Sequence, residues 1–227
     1  MVDRRCVAGF GGRISYRYDI NSAHLNQNEL IIRDFESEII RFQTQSQELV
    51  QNTRISGIIP LVRRGIDMNK IDRQHCCCFT GHRPEKLHRD AQGAITALAT
   101  AIDRAIAEGY TTFISGMAKG IDIWAAEIVL DRRAQNPEIK LICAVPYPGF
   151  ELGRKDEWTE RILRIMFEAN LVKFVREKYS RSVFQIRNIW MVDHSSLLIA
   201  AYDGEAGGTK NTIDYALREG HCQIQYI

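Results

Sequence analysis

The segment 113–122 holds residues whose types and spacing suit the binding of an anion. A short apolar run ends at Ser115 and Gly116, a turn leads to Gly120, and an amphipathic pattern begins at Ile121. A strand, a glycine turn and a helix together present backbone N–H groups and a positive helix N-terminus to a ligand. Glycines in the turn permit close approach, because they have no Cβ atom. The motif predicts an anion site and leaves the nature of the anion open.

Two further loops carry residues of the same kind. Thr80 and Gly81 end an earlier apolar run, and His82 and Arg83 follow them. A guanidinium there can bind phosphate or stack on a base, although both side chains could instead only fix the loop. A later glycine-rich loop, residues 203–212, precedes another helical pattern. Two glycine-rich junctions between strand and helix indicate an anion site more strongly than one.

Carboxylates near these loops offer a second chemistry. Asp122 lies in the first helical turn after the opening motif, where it can cap exposed amides and compete with a phosphate. If Asp122 takes these amides, the group bound at this turn would be a ribose hydroxyl instead of a phosphate. Glu127, Asp203 and Glu205 are not paired at a catalytic spacing, and the sequence has no Ser-His-Asp order, zinc ligand set or Walker lysine. Trp124 is expected in the core. Binding is therefore favoured over catalysis.

The elements that must position these loops alternate regularly from residue 74 onward. We predict strands at 76–80, 110–115, 139–145, 171–175, 196–202 and 221–226, and helices at 91–108, 121–135, 155–169, 183–193 and 209–219. This alternation predicts an α/β fold with a Rossmann-like parallel sheet and helices on both faces. The loops after the first, second, third and fifth strands should converge on one edge. Arg187 and Asn188 are expected on a solvated helix face.

The cysteines indicate packing rather than metal binding. Cys76, Cys77 and Cys78 are consecutive, and successive strand residues face opposite sides of a sheet. These three thiols therefore cannot jointly hold one metal ion, and we expect reduced cysteines in a buried strand. A metal site that uses His75, His82 and one cysteine is the alternative.

The charge and the hydropathy of the sequence argue against two classes of partner, nucleic acids and membranes. A net charge of +2 is too small to indicate non-specific binding to nucleic acid. No apolar run approaches the ~20 residues of a membrane helix, and the N-terminus lacks the apolar region of a signal peptide. We expect a cytoplasmic protein that does not bind membranes.

The first 67 residues do not continue the alternation of strands and helices. Apolar residues recur at three- and four-residue steps between Ile32 and Leu49, which predicts an amphipathic helix. The alternative is that Met68 is the true start and that 1–67 is an extension upstream of it. We therefore divide the chain into an N-terminal extension, 1–67, and an α/β domain, 68–227.

Several segments of the α/β domain, taken together, resemble the YpsA-like branch of the SLOG superfamily. They are Cys78–Leu87, Ser115–Glu127, Arg187–Asp193, Ala201–Gly204 and Gly207–Thr209, in this order. The resemblance runs from about Met68 to the C-terminus, which favours the interpretation of 1–67 as an extension. It implies a Rossmann-like fold that binds nucleotides or nucleotide-derived ligands, as a sensor rather than an enzyme.

The resemblance also implies where a ligand would make contact. The implied positions are Thr80, Gly81, Arg83, Ser115, Gly116, Gly120, Asp122, Gly207, Gly208 and Thr209, and we add His82, Met117, Asp203 and Thr212 from the same loops. Backbone amides of Gly81, Gly116 and Gly208 would bind phosphates, with Arg83 as charge partner. The sequence requires no metal and no resident cofactor. Occupancy would be coupled to a partner or to self-association as a homo-oligomer.

Two sister groups supply alternative functions. The DNA-processing protein DprA has a similar glycine turn, and Thr209 and Thr212 would suit a binder of single-stranded DNA. Such a groove needs clustered positive charge, whereas Asp203 and Glu205 flank this loop. The LOG phosphoribohydrolases share a PGGxGTxxE turn. Thr212 stands at their catalytic glutamate, and it cannot act as a carboxylate acid or base. Nucleotide binding is the favoured hypothesis.

Overall fold

A computed structural model of the chain describes residues 71–87, 90–150 and 157–227. The elements are β1 Cys76–Gly81, α1 Ala91–Ala107, β2 Thr112–Ser115, α2 Ile121–Gln135, β3 Lys140–Val145, α3 Glu157–Glu168, β4 Leu171–Phe174, α4 Val183–Asp193, β5 Leu197–Ala201, α5 Gly208–Glu219 and β6 Gln223–Tyr226. Every predicted strand and helix is present, with each end within about two residues of its expected position. The N-terminal extension, 1–67, and its amphipathic helix lie outside the described residues.

All six strands are parallel, in the order β4-β3-β2-β1-β5-β6. The chain adds strands in one direction from β1 to β4 and then returns to place β5 on the other side of β1. The carboxyl ends of the paired strands β1 and β5 therefore mark a topological switch point. Open α/β sheets bind ligands at such a point, outside the carboxyl ends of the strands. The Rossmann-like parallel sheet expected from the sequence is confirmed.

Helices cover both faces of the sheet, as predicted. Helices α1, α2 and α3 pack on one face, and α4 and α5 pack on the other. The alternation of the strand cysteines is confirmed, because Cys77 lies in the first core and Cys76 and Cys78 lie in the second. Burial raises the pKa of Cys77 and of Cys78 well above the ordinary thiol value. These thiols are therefore packing groups in the interior of the domain.

The described residues contain neither a metal-binding cluster nor a helix that could span a membrane. No group of three or more His, Cys, Asp or Glu side chains in 71–87, 90–150 and 157–227 is arranged to hold a metal ion. No helix within the same ranges combines the length and the apolar character needed to cross a membrane.

Candidate functional site

The loops after β1 and β2 meet because glycines permit close approach. A Cβ atom on Gly81 would lie 2.3 Å from Cγ1 of Ile121, so the first turn of α2 packs directly on the end of β1. Gly120 has a φ of 88°, in the region that favours glycine. A Cβ atom there would lie 2.9 Å from Cδ of Pro84 and 3.1 Å from the carbonyl oxygen of His82. The structure therefore brings the first two predicted loops together.

Asp122 holds the turn after β2 from inside the protein. Its buried carboxylate accepts a hydrogen bond of 3.1 Å from the N–H of Gly116. The Ser115 hydroxyl donates to the Asp122 carbonyl oxygen at 2.8 Å and accepts from the N–H of Met117 at 3.2 Å. Met117 is fully buried and has a φ of 60°, which non-glycine residues rarely adopt. Asp122 therefore bonds an amide of the turn before the helix, whereas the N-cap residue of α2, Gly120, makes no side-chain cap.

These hydrogen bonds change what the turn can offer to a ligand. The N–H of Gly116 and the hydroxyl of Ser115 already have partners within the protein. Met117 and Gly120 are buried with them. Direct ligand contact by these residues remains a prediction, and their visible role is to fix the shape of the turn.

Arg187 lies buried beneath the same turn. Its side chain is only 6% exposed, so the expectation of a solvated face is wrong for this residue. Its Nη1 and Cζ atoms would lie 2.3 and 2.8 Å from a Cβ atom on Gly116. Nη1 has no hydrogen-bond partner, whereas Nε donates to Oδ1 of Asn188 at 2.8 Å. The spacing of the sequence could have indicated this burial, because Arg187 lies four residues from Val183 and from Met191 on one face of the helix. All three residues are buried.

A chain of hydrogen bonds continues from Arg187 to the start of α5. Nδ2 of Asn188 donates to Oγ1 of Thr212 at 2.9 Å, and that hydroxyl donates to the carbonyl oxygen of Gly208 at 2.8 Å. Thr212, a predicted contact, is almost fully buried and is used inside the protein. The turn after β2 and the glycine loop after β5 are therefore physically connected.

The N-terminus of α5 is open. Gly207 is its N-cap residue, and no side chain caps the helix there. Gly207 and Gly208 are exposed, and a Cβ atom on either would meet nothing within 4 Å. The adjoining Thr209 is buried. Amides in the first turn of a helix carry a partial positive charge and attract anions.

His82 connects the loops on the two sides of the switch point. It is 6% exposed, and its Nε2 lies 2.9 Å from Oδ1 of Asp203, outside hydrogen-bond geometry. The imidazole also stacks on Tyr202, with ring centroids 5.8 Å apart. Thr80 is buried at the end of β1, and Arg83 is exposed beside it. The predicted residues thus surround one edge of the sheet, with Arg83 and the α5 glycines at its surface.

Asp122 and Arg187 form a buried, oppositely charged pair behind the turn. Burial raises the pKa of Asp122, although the charge of Arg187 opposes the shift. Burial also lowers the pKa of Arg187, but a guanidinium keeps its proton in proteins. Burial thus disfavours the charged form of both groups, and each charge partly offsets this penalty on the other. The Arg187 guanidinium lies directly beneath Gly116.

Replacing Asp122 with asparagine is expected to remove part of the pH dependence of stability. Because the folded-state pKa of Asp122 is raised above 3.8, its contribution is fully present below pH 3.8 and is lost as pH rises through the folded-state pKa. Asparagine does not titrate. The unfolding free energy of Asp122→Asn minus that of wild type should therefore increase with pH across this window. Urea unfolding at a series of pH values measures the difference, and a flat or falling profile would contradict the burial effect.

Glu127, another carboxylate considered for chemistry, is held in an ion-pair network. Nε of Arg161 donates to it at 2.9 Å, and Arg164 donates to it at the same distance. Arg161 also lies over the ring of Trp158. Glu127 therefore joins α2 to α3 and acts in packing. Trp124 is buried, as expected.

Comparison with known proteins agrees with this arrangement. The sequence profile YpsA, described as the YspA SLOG family, matches residues 77–226. The chain belongs to this family. The match runs from the second residue of β1 to the end of β6 and includes all the loops of the candidate site. The resemblance carried by the sequence motifs is confirmed.

Relatives of this SLOG protein share its domain. UPF0398 proteins from Bacillus thuringiensis (strain Al Hakam) and Bacillus cereus (strain AH187) are each 27% identical over 153 residues, which cover 63% of this chain and 83% of the relative. A solved structure of DNA processing protein A from Helicobacter pylori, described by its single-stranded DNA binding mode, matches with a TM-score of 0.51 and 19% identity. The match covers 70% of this chain and 68% of that one, and it shows a shared fold.

Proposed function

We propose that this SLOG protein binds a nucleotide or a nucleotide-derived ligand at the carboxyl edge of β1 and β5, without catalysis. One observation carries the proposal. The buried guanidinium of Arg187, with Nη1 unpartnered, lies under the Gly116 turn and is connected through Asn188 and Thr212 to the open N-terminus of α5. A fixed positive charge and the first-turn amides of a helix whose N-cap residue is glycine form an environment for a phosphate group.

The direct contacts with the ligand are assigned to groups at the surface of the site. The first-turn amides of α5, at Gly208 and Thr209, would bind phosphate oxygens, since the N-cap residue, Gly207, has no side chain that could cap them. Arg83 is exposed and can supply a charged, planar donor at the edge of the site. Arg187 and Asp122 would act from beneath, by fixing the Gly116 turn and setting the local charge.

Hydrolysis of the ligand is disfavoured by the same geometry. Thr212 stands where LOG enzymes would have a carboxylate, and its hydroxyl already donates to the carbonyl oxygen of Gly208. Glu127 is held by two arginines. A protein that binds without turnover suits a sensor, in which occupancy changes a partner contact or the oligomeric state.

Titration of the protein with AMP, ADP and ADP-ribose tests the proposal. A site filled at 100 times its dissociation constant raises the unfolding free energy by about 2.7 kcal/mol. Arg83→Ala should weaken the binding about tenfold, because a charged hydrogen bond is lost. Arg218→Ala is the matched control, since Arg218 is 68% exposed near the opposite end of α5.

Two outcomes would contradict nucleotide binding. One is the absence of any thermal shift with the whole panel. The other is salt-dependent binding of single-stranded oligothymidylate that none of the nucleotides displaces, which would favour the DNA-binding alternative. Equal affinities of Arg83→Ala and Arg218→Ala would place the ligand elsewhere on the protein.

A further inference from the structure

Four aromatic rings gather at the same edge of the sheet, beyond β3 and β4. Tyr147 makes edge-to-face contacts with Phe150 and Tyr179, at centroid distances of 6.0 and 5.7 Å. Phe150 in turn contacts Phe184 at 5.9 Å. Tyr179 is 59% exposed and Phe184 is 40% exposed. We call these four residues the ring cluster.

The ring cluster is fixed relative to the open end of α5. Helices α4 and α5 lie side by side on one face of the sheet, and both begin at its carboxyl edge. Asn188 of α4 contacts Thr212 of α5 at 2.9 Å. One turn earlier on each helix are Phe184 and Gly208, which therefore lie at about the same height. Packed helices have axes about 8–10 Å apart, so the backbone of Phe184 lies about that far from the first turn of α5.

This separation suits a ligand with an anionic end and a flat apolar end. A nucleotide has its phosphate at one end and its base at the other, and bases stack on exposed aromatic side chains. Exposed cationic residues, Lys178 and Arg181, flank Tyr179 in the chain and add positive charge beside the rings. The exposure of Tyr179 and Phe184 is explained if a base covers them.

We propose that the ring cluster stacks the nucleobase of the ligand whose phosphate binds at the N-terminus of α5. This inference rests on the proposed function and adds the element that selects for a base. Tyr179 and Phe184 make the direct contact, since they are the exposed members. Tyr147 and Phe150 support them through edge-to-face packing.

Two probes separate the base from the phosphate. AMP carries both, whereas ribose 5-phosphate lacks the base. Tyr179→Ala and Phe184→Ala should each weaken AMP binding about tenfold or more, with ribose 5-phosphate affinity unchanged. Phe184→Trp should retain AMP binding, because it keeps a stacking surface. Leu217→Ala is the matched control, since Leu217 is an exposed apolar residue, 63% exposed, far along α5.

The outcomes distinguish this inference from the function it rests on. If AMP binds wild type and both alanine variants equally, or if the variants weaken AMP and ribose 5-phosphate alike, the stacking role is overturned and phosphate binding stands. If wild type binds neither probe, both proposals fail. If the variants lose affinity for oligothymidylate while AMP does not bind, the rings belong to a DNA surface and the inference is overturned.

Discussion

Replacing Gly81 with alanine is expected to lower the free energy of unfolding by about 3 kcal/mol. The added Cβ atom would lie 2.3 Å from Cγ1 and 2.7 Å from Cβ of Ile121, and 3.1 Å from Cβ of Ala201. Both neighbours are buried. Neither can move away unless α2 or β5 shifts, because interiors are close-packed. The substitution should therefore also displace the turn after β2 from the candidate site.

Urea unfolding of Gly81→Ala measures this effect as a lower midpoint. Gly208→Ala is the matched control, because a Cβ atom there meets nothing within 4 Å and the residue lies in the first turn of α5. The control should keep or increase stability, by up to about 1 kcal/mol, since alanine suits a helix better than glycine. Equal midpoints for Gly81→Ala and wild type would show that α2 does not pack on the end of β1 as described.

Replacing Arg187 with methionine is expected to destabilise the protein by about 3 kcal/mol at neutral pH. Methionine keeps much of the apolar length but loses the hydrogen bond from Nε to Asn188. It also removes the positive charge that opposes the raised pKa of Asp122. A buried carboxylate that loses its neighbouring cation is costly. The same change should weaken nucleotide binding, because the charge beneath Gly116 is gone.

A double-mutant cycle with Asp122→Asn separates the charge effect from general packing. The two groups interact, so the double variant should be more stable than the sum of the single effects implies, by about 1 kcal/mol or more. Urea unfolding at one pH gives the unfolding free energies of wild type, of each single variant and of the double variant. Simple additivity would mean that Arg187 and Asp122 do not act as a pair.

The order of strands and helices was predictable because each carries a strong local pattern. Residues 139–145 are apolar apart from Lys140 and fit a strand buried on both faces, and β3 is such a strand from Leu141 onward. The helix predicted at 183–193 has the same ends in the structure. The three cysteines alternate between the two cores because the strand period is two. Local periodicity was therefore sufficient for the fold class.

The details of the site depend on contacts between distant segments. The sequence does not show that Arg187 lies beneath Gly116, or that Asn188 reaches Thr212. The hydrogen bond from the Ser115 hydroxyl to the carbonyl oxygen of Asp122 likewise forms only in the folded turn. The ring cluster joins loops after β3 and β4 with α4, and no motif marks it in the chain. Motifs could locate the edge of the sheet, whereas tertiary packing decides which groups remain free there.

Amide chemical shifts of the ¹⁵N-labelled protein during titration with ADP test the central claim most directly. We predict the largest changes at Gly207, Gly208 and Thr209, with smaller changes at His82 and Arg83, all saturating along one binding curve. Amides at the opposite edge, where the strands begin, should not respond. Saturable shifts confined to that opposite edge, or no saturable shift at any of these five amides, would contradict ligand binding at the switch point.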